Sequence, residues 1–221
     1  MGPLDGGWVP IPNTERSFSH VSKNLKSRVA SGGSMNDRVS NYLRYYDLER
    51  YLFEDVRSAF HRDGDLSAFD FFSIVIWKAN RAKSKIAKRL MTRGDDLDSV
   101  VRELASELHN APTGRDRLRI LMQEYGFLLP MATAILTVLW PDEFTVYDIR
   151  VCDSLDRFHE LGNLTRFDRI WAGYSIFVDG VRDAAPPDLS LRDKDRYLWA
   201  KSAMGQLEQN LEFWSRNQAD A

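Results

Sequence analysis

The chain has 221 residues, 43% hydrophobic and 28% charged, with 30 Lys+Arg against 32 Asp+Glu and a formal net charge of -2. Such a composition excludes a wholly disordered or fibrous chain, and the length suffices for one large domain or two small lobes. No apolar run approaches the roughly 20 residues that span a bilayer, so no membrane partner is expected.

Residues 1–35 are rich in Gly, Pro, Ser and Asn and lack a sustained period. They read as a flexible arm, with Trp8-Val9-Pro10-Ile11-Pro12 as a candidate anchor. The first seven residues lack the basic and apolar regions of a signal peptide. Asn36 or Asp37 is expected to cap a first helix carrying Tyr42, Leu43, Tyr46, Leu48 and Leu52, which Gly64 breaks. Ser67 then caps a helix over 68–78, whose apolar positions Phe69, Phe72, Val75 and Ile76 predict a buried face. A third helix is expected over 95–108, with acids in its first turn as the helix dipole favours. Thr113 opens a fourth, and Gly126 ends it.

Pro130 occupies a first-turn position leading an apolar helix over 131–139. Pro141-Asp142 makes a turn, and Phe144-Thr145-Val146-Tyr147 is at most a short extended link. Asp148 precedes another helix. Ser190 caps the last and longest, whose stripe Tyr197, Ala200, Met204, Leu207, Leu211 and Trp214 steps by three and four throughout. The predicted class is all-α.

Cys152 is the one cysteine, which excludes an internal disulfide, a four-cysteine zinc site and an iron–sulfur cluster, and suits a reducing, cytoplasmic setting. His20, His61, His109 and His159 show no ligand spacing. No metal or other cofactor is expected.

The net charge hides a segregation. Residues 1–35 sum to +2, 36–75 to -3, 76–93 to +7 and 94–221 to -8. The +7 block holds Lys78, Arg81, Lys83, Lys85, Lys88, Arg89 and Arg93 with no acid. Such a run is either a solvated helix face or a surface that meets phosphates.

The most informative stretch is Glu124-Tyr125-Gly126-Phe127-Leu128-Leu129-Pro130-Met131-Ala132-Thr133-Ala134-Ile135-Leu136, continued through Thr145-Val146-Tyr147-Asp148-Ile149-Arg150-Val151. Two helices meet at a tight hairpin, a small-residue helix follows, and an aspartate comes after a short link. Here the sequence resembles the helix–hairpin–helix DNA glycosylase superfamily, which includes endonuclease III and the adenine and alkyl-base glycosylases. That family carries a hairpin of the form L-P-G-V-G-x-K-T-A, with its catalytic aspartate eighteen residues beyond the lysine. Laid on the pattern without gaps, Gly126 matches the first hairpin glycine, Ala132 the small helix position and Asp148 the aspartate. Leu128 replaces the second glycine and Pro130 the lysine. The resemblance covers about 66–160.

The resemblance implies a two-lobed helical fold. Residues 66–147 would form an inner lobe with the hairpin, and 36–65 with 148–221 an outer one, leaving Asp148 at the cleft. It implies double-stranded DNA as partner and Asp148 as the catalytic carboxylate. The Gly126-Phe127-Leu128 hairpin would contact the backbone, although Leu128 adds a side chain where a glycine lets amides approach phosphate. Without the lysine no amine at Pro130 forms a Schiff base, so a monofunctional hydrolase is expected rather than a lyase. Asn80 falls about where the family inserts a side chain into the duplex, Lys78, Arg81 and Lys83 would contact phosphates, and Trp77, Tyr147, Trp171 and Tyr174 are candidates to stack on an extruded base.

Blander readings stand beside each of these. Asp148 also suits a helix cap, Asn80 a helix end, and the aromatics a core. Three functions therefore stay open: a glycosylase, a DNA-binding module without catalysis, and a helical protein-interaction domain using the Tyr197–Trp214 stripe.

Overall fold

The structure, a computed structural model, describes residues 35–219, and the expected arm and its anchor at 8–12 lie outside them. The chain divides into two compact units, Met1–Leu43 and Arg44–Ala221. All regular structure among the described residues is helical, as the periodicity predicts.

Helix α1 (Met35–Tyr46) stops earlier than expected, because Asp47 interrupts it and accepts the Arg50 amide on its side chain. This side-chain cap restarts the helix in a new phase. Tyr42, Leu43 and Tyr46, expected on the apolar face, therefore fall outside its register and are exposed. Helix α2 runs through Leu48–Arg50, a π-helical stretch Tyr51–Val56, and Arg57–Asp63. Leu52, Val56 and Phe60, four residues apart, are its buried line. Gly64 ends it at φ +67.

Helix α3 (Ala68–Ala79) starts as predicted, with Ser67 accepting the Asp70 amide at 3.1 Å. Its buried face is Ala68, Phe71, Ile74 and Val75, so of the expected positions Val75 is buried, Phe72 and Ile76 are half-buried and Phe69 turns out. Phe69 is exposed and meets the Tyr45 ring instead, at 5.3 Å. This phase puts Lys78 in line with Phe71 and Val75, on the inward side. A 3-10 turn, Asn80–Ala82, joins α3 to α4 (Lys83–Leu90), which buries only Ile86 and Leu90. Helix α5 (Leu97–Asn110) is capped by Asp96, so one of the expected first-turn acids serves as the cap, and Asp98 stays in the first turn.

Helix α6 (Gly114–Arg119), capped by Thr113, passes into a π-helical end, Ile120–Glu124. At its close Gly126 takes φ +67 and the Phe127 amide bonds back to the Leu121 carbonyl at 2.9 Å. That six-residue return is the hydrogen bond of a glycine C-cap. Helix α7 (Leu129–Leu139) carries Pro130 in its first turn and is buried nearly all round, which makes it the central helix. The link 144–147 has no regular structure, and the Tyr174 hydroxyl holds it through the Thr145 amide (3.1 Å) and carbonyl (2.6 Å).

Helices α8 (Ile149–Leu155), α9 (Phe167–Ala184) and α10 (Leu191–Ala219) complete the chain, with a 3-10 turn, His159–Asn163, between the first two. α10 packs its beginning on α8 and α9. One continuous apolar cluster runs from Leu52 to Leu198, drawing on both of the segments expected as lobes. No helix among the described residues is long and apolar enough to cross a membrane.

Candidate functional site

Asp148 begins α8. One of its carboxylate oxygens accepts the Arg150 amide at 3.1 Å, and the other accepts Lys78 Nζ at 2.5 Å. The helix-cap reading is thus correct as geometry, and the cation paired with the carboxylate is Lys78 from α3. The pair is mostly enclosed, with Lys78 15% and Asp148 21% exposed at the side chain. Lys78 therefore faces inward and is corrected from a phosphate contact to the partner of the carboxylate. The cause is the phase of the buried face of α3.

A second carboxylate stands close by. Asp195, on α10, is buried and bonded by Arg192. Burial pushes its carboxyl up to about 6, although Arg192 and Lys78 pull it down, and Asp148 adds to the rise. Desolvation therefore outweighs the ion pair. Arg192 in turn donates to Glu49 at 2.6 Å and lies 5.1 Å from the ring centres of both Phe53 and Trp77. Burial opposes ionisation of Glu49, but Arg192 and Arg196 hold its carboxyl below the usual value. Helices α2, α3, α8 and α10 thus bring Asp148, Asp195 and Glu49 together with Lys78, Arg192 and Arg196.

Sequence reading missed Asp195 and Arg192. A signal existed: Asp195 follows Leu191 by four residues and precedes Leu198 by three, a polar residue on an apolar face.

The structure splits the expected DNA-contact residues. Asn80, Arg81 and Lys83 are exposed at the α3–α4 turn, and Lys83 Nζ bonds Asn80 Oδ1 at 2.7 Å. Lys85, Lys88 and Arg89 are also exposed. Arg89 bonds the Gly126 carbonyl, so the basic helix and the hairpin adjoin. Leu128 is 71% exposed at the hairpin tip. Phe127 is a correction: it is buried, 6.0 Å from Phe71 and 6.5 Å from Tyr125, because the glycine cap folds it back.

Two of the four aromatic candidates are also corrected. Tyr174 is buried with its hydroxyl spent on Thr145, and Tyr147 is buried with its hydroxyl donating to the Phe158 carbonyl at 2.8 Å. Neither offers a face to a base in this conformation. Trp77 and Trp171 are half-buried; Trp77 packs on Phe53, and Trp171 on Tyr174. A groove of about 550 Å³, lined by Glu49, Phe53, Arg192 and Arg196 among others, lies on the Arg192 side of the network; Asp148 does not line it.

Among the described residues no cluster of His, Cys, Asp or Glu could hold a metal ion. Cys152 is buried, and burial raises its thiol to about 11, so it is no ready nucleophile. No family model, curated protein or solved structure matches the chain.

Proposed function

We propose that the protein binds double-stranded DNA and hydrolyses the N-glycosidic bond of a flipped damaged or modified base, with Asp148 as its carboxylate. The observation that carries the reading is Asp148 at the start of α8, partly open, tied to the end of α3 from which the exposed basic turn and α4 depart. Breaking an N-glycosidic bond builds positive charge on the sugar, and a fixed carboxylate beside it lowers that barrier. Lys78 would hold the carboxylate in place while the sugar approaches. Arg81, Lys83, Lys85 and Lys88 would supply phosphate contacts independent of sequence and sensitive to salt. The reading assigns the hairpin tip at Leu128 to the backbone on the same side, next to Arg89.

The test is incubation with duplexes carrying uracil, alkylated, oxidised or hypermodified bases, followed by alkaline cleavage of abasic sites. Product above that of Asp148→Asn supports the proposal. Parity with that variant on every substrate overturns the enzymatic part. A covalent complex trapped by borohydride through Lys78 would overturn its hydrolytic form.

A second reading is favoured by one observation: both oxygens of Asp148 are already engaged, by Lys78 and the Arg150 amide. In that case the protein is a DNA-binding module whose Asp148 only braces α8. Duplex binding that weakens steeply with salt, is lost on replacing Arg81, Lys83, Lys85 and Lys88, and ignores Asp148→Asn would select it.

A further inference from the structure

Helix α10 presents two faces up to about residue 205, and beyond it 206–216 is exposed all round. Leu191, Asp195 and Leu198 turn towards the body and are buried. At about 100° per residue, Tyr197, Ala200, Met204, Leu207, Leu211 and Trp214 fall on the opposite side. The five large ones are 43% to 62% exposed. Their spacing alternates three and four without a fault, the repeat of a left-handed coiled-coil seam. A water-facing seam of this length marks an interaction surface.

The flanking charges identify the occupant. Beside the seam, on one edge, stand Lys201 and Glu208, seven residues apart and both exposed. If a second α10 lies antiparallel with Met204 opposite Leu207 of the copy, the twofold axis falls between them. Ala200 then meets Leu211, small against large, and Tyr197 meets Trp214. In the same register Lys201 of each copy comes beside Glu208 of the other, twice over. Because the body lies across the helix from the seam, the two bodies stay on the outer sides and do not collide.

We propose that α10 pairs antiparallel with α10 of a second copy through Tyr197, Ala200, Met204, Leu207, Leu211 and Trp214, making the protein a symmetric dimer. The interface is isologous, so each half of the seam supplies the complement of the other. It stands apart from the nucleic-acid reading and does not depend on it.

Light scattering and sedimentation of the full chain test it. Twice the 25.5 kDa chain mass is expected, with Met204→Glu plus Leu207→Glu returning it to the monomer. Lys201→Glu and Glu208→Lys should each weaken the dimer, and the double swap should restore it, since the opposed pair is rebuilt with reversed sign. A spin label at Arg216→Cys, with Cys152 buried and unreactive, should lie about 30 Å from its copy across an antiparallel pair. A monomer at every soluble concentration overturns the proposal. So does a double swap no better than the single changes, or a label separation of roughly 15 Å, which a parallel pair would give.

Discussion

Lys78 reaches Asp148 at 2.5 Å across 70 residues of sequence, so the end of α3 is tied to the start of α8. With both side chains mostly enclosed, removing one partner strands the other away from water. Lys78→Met should therefore cost about 2 kcal/mol. Asparagine caps a helix about as well as aspartate, so Asp148→Asn removes the charge and keeps the cap. Urea unfolding of both single variants and the double variant closes the cycle. The double should lose clearly less than the sum of the singles; strict additivity would show that the pair is not coupled.

Asp195 makes stability depend on pH. Its carboxyl is raised from 3.8 to about 6, so the folded state holds the proton more tightly than the unfolded chain. That contribution is fully present below the unfolded value and is lost as pH climbs through the folded one. Relative to Asp195→Asn, the native protein should lose stability, by about 3 kcal/mol in all, between about pH 4 and about pH 7. Thermal or urea unfolding of the two proteins over that range reads it. Parallel pH profiles would refute the claim.

The helices could be read from the sequence because their caps are local. Ser67, Thr113 and Asp148 each sit before a helix and bond an amide two or three residues on, and Gly126 supplies the positive φ that ends one. Asp47 escaped because a capping aspartate inside an apolar period looks like a tolerated polar position until its side chain is seen to bond Arg50. The phase of α3 escaped for a different reason. Phe69 and Phe72 are as apolar as Phe71 and Ile74, so only packing against neighbours could choose the inward face. That choice decides the candidate site, since it turns Lys78 from the surface to Asp148. Asp148 itself was legible by position, whereas Arg192 and Asp195 join it only through tertiary folding.

Gly126 is required by its backbone more than by its space. At φ +67 an L side chain is strained, and a Cβ there would meet Arg89 Nη1 at 3.3 Å. Gly126→Ala should destabilise by about 1–2 kcal/mol. The same change should reduce duplex affinity if the hairpin meets DNA, because Arg89 and Leu128 flank it. Equal or higher stability in urea would show that the turn relaxes into another conformation.

Gly205 presents the opposite case. It sits in the middle of α10 without a positive φ, and a Cβ built on it has nothing within 4 Å. Its neighbours gain nothing from its smallness, while its backbone freedom costs the helix order. It also lies on the side away from the Tyr197–Trp214 stripe, so a methyl there does not touch the proposed pairing face. Gly205→Ala should stabilise the helix by about 0.5–1 kcal/mol. Because the distal part of α10 is exposed, the gain should appear first as slower hydrogen exchange of the amides around 205–212. Greater helical circular dichroism should accompany it. Unchanged or faster exchange would mean that something needs the space beside Gly205, and the pairing test on the same variant would then show whether a second copy fills it.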